Sequence, residues 1–347
     1  MISAVHYSIN TMENSTRNKV QERLPFLDYG RVFVMFLVIF GHLMLNDDKT
    51  IRPYIYSFHL PFFFLVSGML HKDRGGISWK KYWKTLIVPF LFFNLLFFIL
   101  WPLCWKIGIW GPSDMFDGNH GLIPIYLDFG KNFFLSLIYG KVLPDGPTWF
   151  LMALLWCKIL TDCICRYRWI AIVSLCVLIV IVLYPSYRTY FRFGNAIMVL
   201  PFFYGGFKCK KIIQQWCTKR WALLLGIVFL LLNIPFTKLN GRVSTYAVWF
   251  GQINAPLNAL VFYINAFCCS LGLLVICMQF PARKYITTSA KALISILCIH
   301  IFFCYIYRQH CDQTNYFLIT ITSVLIFIAC VLIHQLLEKY LPFSVGK

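Results

Sequence analysis

Long apolar stretches separated by short polar connectors set the pattern of this chain. They run near Phe26 to Leu45, Arg52 to Leu70, Thr85 to Trp105, Pro147 to Thr161, Trp169 to Tyr184, Asn195 to Phe207, Trp221 to Phe236, Ala255 to Gln279, Leu293 to Tyr307 and Asn315 to Gln335. A hydrocarbon core of roughly 30 Å takes about 20 apolar residues per helix, so runs such as Trp169 to Leu183 or Phe317 to Leu332 fit a bilayer better than a buried core. The pattern predicts an all-α fold: a polytopic membrane helix bundle of about ten transmembrane helices.

Between Lys106 and Gly146 lies the longest stretch that does not span. Within it, Leu122 to Tyr139 mixes apolar and polar positions and predicts a surface-lying or re-entrant helix, because Asp128 and Lys131 interrupt a full crossing. No internal repeat is evident, which leaves a single transmembrane domain over residues 26–339 with a long outer loop at 106–146. Residues 1–25 and 340–347 form an N-terminal segment and a C-terminal tail. Residues 1–23 are polar and carry no apolar stretch ahead of a small-residue cleavage site, so the first apolar helix is expected to act as the anchor.

Composition agrees with lipid as the solvent: 59% of the 347 residues are hydrophobic and 13% charged, against about a quarter charged in an ordinary soluble domain. An even number of crossings puts both termini on one side of the membrane. On that side fall 21 of the 32 Lys and Arg residues, ten fall opposite, and Arg31 lies within a span. Basic residues accumulate in cytoplasmic loops, which predicts a multi-pass plasma (inner) membrane protein with both termini cytoplasmic. The net charge of +19 is spread over short loops rather than a dense basic stripe, so orientation and anionic lipid account for it and nucleic acid is not an expected partner. Trp79-Lys80-Lys81-Tyr82-Trp83-Lys84 reads as an interfacial anchor, with a site for a polyanionic cytoplasmic cofactor as the alternative. Of the 14 cysteines, Cys157, Cys176, Cys268, Cys269, Cys277, Cys298, Cys304 and Cys330 sit inside apolar runs and read as small core hydrophobes. No zinc-type spacing appears, and no metal site is expected.

Chemistry concentrates in the first span, Leu27 to His42, which carries Asp28, Arg31 and His42 among apolar residues. An ionisable residue inside a membrane helix costs several kcal/mol without a partner or a purpose. Arg31 and His42 are three helical turns apart, so they share one face about 16 Å apart along the axis. Asp28 is placed to neutralise the guanidinium, and Arg31 is also close enough to the helix start to snorkel to headgroups. A neutral histidine such as His42 is the commonest general base near pH 7. In the second span His59 precedes Pro61, which frees backbone carbonyls, so His59 fits either a site role or a hydrogen bond to one of them. Ser67-Gly68 permits close helix approach, with Ser67 otherwise a substrate-binding candidate. His300, in a late apolar run, likewise fits a site or a satisfied core position.

At these residues the chain resembles the acyltransferase-3 family of bacterial membrane acyltransferases, which includes fucose O-acetylase-like glycan O-acyltransferases. The most specific element is Asp28, Arg31 and His42 with the Arg-x10-His spacing and the Gly41-His42 pair. Further elements are Phe58-His59-Leu60-Pro61-Phe62-Phe63 through Ser67-Gly68, Thr148-Trp149-Phe150-Leu151, Leu200-Pro201-Phe202-Phe203-Tyr204-Gly205-Gly206, and Ser295 to His300. The resemblance implies transfer of an acetyl or succinyl-type group from cytoplasmic acyl-CoA, a co-substrate rather than a tightly bound cofactor, to a hydroxyl of a cell-surface or lipid-linked glycan. It further implies that His42 carries the chemistry and Arg31 the donor, with Asp28, His59, Ser67, Trp149 and His300 on donor or substrate. Direct attack by the sugar hydroxyl, which we prefer, and relay through an acyl-histidine both fit. The rival reading is an exporter of polysaccharide or lipid-linked sugar, since polytopic helices with intramembrane Arg and His also suit a substrate pathway.

Overall fold

Pro25 opens the first helix at a position where its missing N–H costs nothing, and Asp28 places a negative charge in the first turn, where the helix dipole favours it. This helix, α1 (Pro25–Leu43), is the hub of the bundle in a computed structural model of the chain. The structure describes residues 24–44, 48–49, 51–108, 126–127, 130–131, 134–135, 145–184, 190–251 and 256–347. The N-terminal segment, most of the 106–146 loop and its expected surface helix lie outside the described residues.

The remaining helices are α2 (Ile51–Tyr56), α3 (His59–Met69), α4 (Trp79–Tyr82), α5 (Val88–Lys106), α6 (Trp149–Arg166), α7 (Trp169–Leu183), α8 (Phe193–Cys217), α9 (Arg220–Asn240), α10 (Pro256–Met278), α11 (Lys284–Lys291), α12 (Leu293–His310) and α13 (Tyr316–Tyr340). Between α4 and α5 the chain passes through a π turn, Trp83–Ile87. Among the described residues the one β pairing is an antiparallel bridge between Ser244 and Trp249. The fold is an all-α membrane bundle.

Among the described residues, seven helical segments are long and apolar enough to cross a membrane: α1, Trp79–Cys104, Gly146–Arg166, α9, α10, α12 and α13. The expected count of about ten is not confirmed, and the other stretches miss this length and composition for local reasons. Proline lacks an N–H and its ring clashes with the carbonyl four residues back, so Pro61 breaks the expected 52–70 span at Ser57 and Phe58 into α2 and α3. α7 is apolar but only 15 residues long. α8 runs past Phe207 through Lys208, Lys210 and Lys211 to Cys217.

α1 touches α3, α10, α11, α12 and α13. Its buried face, including Val34, Met35, Val38 and Ile39, recurs at helical spacing. The periphery is apolar toward lipid: only 17% of the α9 span and 22% of the α13 span are buried, and Leu224, Leu231, Phe317 and Leu325 are exposed. Cys176 on peripheral α7 is exposed as well, unlike Cys157, Cys269, Cys277, Cys298, Cys304 and Cys330, which are buried thiols. Its apolar surroundings in sequence were lipid-facing neighbours rather than core.

Two helix pairs approach to backbone contact through glycine. A methyl at Gly68 would lie 2.8 Å from the carbonyl carbon of Phe203, and one at Gly206 would lie 2.9 Å from that of Leu65, which locks α3 against α8. Gly226 and Gly272 do the same for α9 and α10. Asn233 then ties α9 inward, donating to Tyr54 O at 3.0 Å and accepting from Ser57 Oγ at 2.9 Å and Asn265 Nδ2 at 2.7 Å.

Candidate active site

The break that Pro61 forces is also what aims His59. With no continuous helix through Ser57 and Phe58, the Ile55 carbonyl accepts from His59 Nδ1 at 2.9 Å, while the neighbouring Tyr54 carbonyl accepts from Ser57 Oγ and Asn233. A carbonyl only accepts, so Nδ1 carries the proton and Nε2 presents a lone pair. His59 satisfies a freed carbonyl, and its ring also lines a cavity of about 290 Å3. That volume is at the lower end of the roughly 300–1,000 Å3 usual for small-molecule sites.

His42, in the last turn of α1, lines the same cavity one turn beyond Val38. Gly41 makes room beside it. A methyl there would lie 2.9 Å from the Tyr56 ring, so glycine lets that ring close on the end of α1. Tyr56 in turn stacks near His59, centroids 4.8 Å apart, with the Arg52 guanidinium 5.1 Å from its ring centre.

Trp149 supplies another wall. Asn94 of α5 donates to Thr148 Oγ1 at 2.9 Å and accepts from the Asp145 amide, fixing the turn that starts α6. Gly146, Pro147, Trp149 and Phe150 all reach the cavity from that turn. α12 closes the opposite side with Leu297, Ile301, Cys304, Tyr305 and Arg308, a stripe at helical spacing. His300 lies behind this stripe and is fully buried, its ring centroid 5.3 Å from that of His42. Its Nδ1 donates to Ile296 O at 2.8 Å, and its Nε2 has no hydrogen-bond partner among the described residues.

The roof comes from the segment between α9 and α10, where Ser244, Thr245 and Tyr246 line the cavity. Asn195 pins it by donating to the Thr245 and Tyr246 carbonyls at 2.7 and 2.9 Å. Phe191 and Arg192 adopt left-handed backbone at the start of α8, a strained conformation for side-chain-bearing residues. This puts the Arg192 guanidinium 4.5 Å from the Tyr246 ring centre.

Arg31 and Asp28 do not line the cavity. Arg31 NH2 pairs with Asp28, and Arg31 Nε reaches Leu27 O at 3.4 Å. The Asp28 side chain is buried, whereas 23% of the Arg31 side chain is exposed. Ser67 is half-buried on α3 and is also absent from the cavity wall. The structure thus brings His42, His59, His300 and Trp149 together and leaves Arg31, Asp28 and Ser67 apart from them.

At the end of the bundle where α3 finishes and α4 begins, an open groove is lined by Arg74, Lys80, Lys81 and Lys84. A buried cluster backs it: His71 Nε2 meets Asp162 Oδ1 at 2.9 Å, and Tyr82 donates to Asp162 Oδ2 at 2.5 Å. Burial pushes the His71 imidazole below its ordinary value, and Asp162 pulls it partly back. Asp162 is thirteen residues along α6 from Trp149, about 20 Å, so groove and cavity occupy opposite ends of the bundle.

The Asp28, Arg31 and Gly41-His42 elements thus sit on the hub helix, and the last of them reaches the cavity. A family model described as an acyltransferase domain, that of the acyltransferase-3 family, matches residues 24–335. The chain belongs to this family. It is therefore a membrane acyltransferase. No curated protein and no solved structure matches the chain. In this acyltransferase the residues that sequence reasoning missed are Tyr56, Tyr246, Tyr305 and Arg308. Arg308 was legible as a cation at the end of an apolar run; the roof residues carried no signal, because a loop's position over a cavity has no periodicity.

Proposed function

We propose that this acyltransferase moves an acetyl or succinyl-type group from cytoplasmic acyl-CoA to a hydroxyl of a cell-surface or lipid-linked glycan. The observation that carries the reading is His42 at a cavity beside a second imidazole, with no carboxylate among the described residues of the cavity wall. His42 has no hydrogen bond to protein among the described residues, which leaves its ring nitrogens for the reactants.

In this reading a ring nitrogen of His42 takes the acceptor hydroxyl's proton while the oxygen bonds the acyl carbon. The carbon–sulfur bond then breaks, and the thiolate takes the proton back from His42 and leaves as coenzyme A. His300, with its Nε2 lone pair toward the interior, orients the His42 ring and disperses the positive charge it acquires. His59 Nε2 is a second acceptor for a sugar hydroxyl, and Trp149 gives a flat face for a sugar ring. A cavity lined mainly by apolar and aromatic side chains strengthens these interactions relative to water.

The basic groove of Arg74, Lys80, Lys81 and Lys84 suits the phosphates of the donor, and Arg31 lies between the termini-proximal end and the cavity to meet the donor's arm. The groove would face the cytoplasm, as the distribution of Lys and Arg predicts for the end that holds both termini. The donor then approaches from one side of the membrane and the acceptor from the other.

Membranes carrying the wild type or His42→Ala, at matched protein level, should be supplied with radiolabelled acetyl-CoA and succinyl-CoA, and surface glycan from the same cells weighed by mass spectrometry. An acyl-sized mass difference that disappears in His42→Ala is expected. Glycan acylation unchanged by His42→Ala, or loss of the polymer itself, would refute the proposal and favour the exporter.

A further inference from the structure

Among the described residues, the cavity that holds His42 has one charged residue in its wall, and that residue is basic. Arg308 is eight residues beyond His300 on α12, about 12 Å along the axis, so the guanidinium sits toward the roof while the imidazole pair sits deeper. Its backbone carbonyl accepts from Gln313 Nε2 at 2.7 Å, and its Nε approaches Gln313 Oε1 at 3.4 Å. Among the described residues no carboxylate pairs with it.

The described acids at this end of the bundle stand outside the cavity wall, and two of them are hydrogen-bonded elsewhere. Asp312 Oδ1 accepts from the Thr314 amide and hydroxyl at 2.8 and 2.7 Å. Asp48 accepts from the Arg52 amide at 2.9 Å and from Tyr316 at 2.7 Å. Asp145 is buried behind the turn that starts α6 and does not line the cavity. Two more guanidiniums, Arg52 and Arg192, lie against Tyr56 and Tyr246, whose rings form the wall. The formal charge that the described wall residues bring into the cavity is therefore the Arg308 guanidinium, in surroundings where a charge without a counter-charge is costly.

We propose that the roof end of the cavity is an anion subsite in which Arg308 binds a carboxylate or phosphate carried by the acceptor. The substrate class is then an acidic glycan unit: a sugar bearing a carboxylate, or a sugar linked through phosphate to its carrier lipid. This rests on the acyltransferase reading and narrows it. The anion is held by the planar, five-donor guanidinium, which matches both groups bidentately, and the aromatic wall of Trp149, Tyr246 and Tyr305 spans the distance between anion and hydroxyl. The acceptor is thereby fixed at two points, its charge at Arg308 and its reacting oxygen at His42.

Membranes containing the full-length protein, incubated with radiolabelled acetyl-CoA and separately with radiolabelled succinyl-CoA, test this. The labelled glycan is run on an anion exchanger before and after two treatments: carbodiimide-coupled reduction, which removes carboxylates, and mild acid, which cleaves sugar phosphates. Labelled product from wild type should be retained. Loss of retention after the first treatment identifies the carboxylate source, and after the second the phosphate source. Loss of a charge-assisted contact should raise the acceptor KM about ten- to a hundred-fold in Arg308→Gln, with the acetyl-CoA KM unchanged and partial recovery in Arg308→Lys. Monodisperse elution in detergent checks that each variant folds. A neutral labelled acceptor overturns the proposal whatever the variants do. So does a dependence on Arg308 that appears only with succinyl-CoA, since the anion would then belong to the donor. No labelling by wild type from either donor defeats the acyltransferase reading itself, a result distinct from a failure of the anion subsite.

Discussion

Gly206 and Gly205 are neighbours on α8 that see different surroundings, and alanine at each gives a controlled test of how the α3–α8 pair is held. At Gly206 a methyl group would overlap the Leu65 carbonyl oxygen and lie 2.9 Å from its carbon, where ordinary contact begins near 3.4 Å. The obstacle is backbone within a helix, so it cannot rotate away, and α3 and α8 must separate by on the order of 1 Å. At Gly205 the same methyl meets only the edge of the Phe267 ring at 3.7 Å. Overpacking costs about 1–3 kcal/mol, while alanine in place of glycine recovers about 0.5–1 kcal/mol of backbone entropy in a helix. Gly206→Ala should therefore lose about 1–2 kcal/mol, and Gly205→Ala should be neutral or gain up to about 1 kcal/mol. At roughly 2–4 °C per kcal/mol for a large domain, the two melting temperatures should differ by about 2–12 °C. Thiol-reactive dye reports unfolding directly, because Cys157, Cys269, Cys298 and Cys330 are buried thiols. α3 begins with His59 and Leu60 in the cavity wall, and a shift of about 1 Å at such a site costs up to about a hundred-fold in rate, so Gly206→Ala should also lose acyl transfer. A Gly206→Ala protein that melts at or above Gly205→Ala would refute the account of this helix pair.

Three further outcomes follow from other parts of the molecule. Asn233→Leu leaves Ser57, Asn265 and the Tyr54 carbonyl short of a partner each; at about 0.6 kcal/mol per intramembrane hydrogen bond it should lose about 2 kcal/mol, read as a lower melting temperature in detergent. His71 has its pKa lowered in the folded protein, so its contribution to stability is present above the unfolded value of about 6.5 and is lost as pH falls through the folded value. His71→Gln should flatten the dependence of melting temperature on pH in the window below pH 6.5, and an unchanged slope would show that another group governs it. The pairing of Arg31 with Asp28 is separable from a donor role by a double-mutant cycle: Arg31→Gln should raise the acyl-CoA KM equally whether or not Asp28→Asn is also present, whereas full rescue in Arg31→Gln/Asp28→Asn would make the guanidinium a structural partner only.

How much of the site was legible in sequence depended on where each residue's partner lies. The Arg-x10-His spacing on α1 correctly placed Arg31 and His42 three turns apart, because helix geometry alone decides that. It did not place them in one cavity: the wall takes in Val38 and His42 but stops short of Arg31, whose nearest partner is three residues away in its own first turn. His59 was legible as a histidine near freed carbonyls, since Pro61 acts within one turn. The split of the 52–70 stretch into α2 and α3 follows from the same proline, although apolar composition alone reads through it.

Lipid as solvent, helix as the only regular element, and membership of an acyltransferase family were determined by the sequence, because apolar runs of about 20 residues and a spaced motif are local properties that need no folded context. Tertiary structure alone decided that His42 meets His300 from the far end of the chain, that a loop after α9 roofs the cavity with Tyr246, and that Arg308 faces the same space. Periodicity tells which face of a helix turns inward. Which side chains then come to share a cavity is set by close approaches such as Gly68 with Phe203 and Gly206 with Leu65, between residues more than a hundred positions apart.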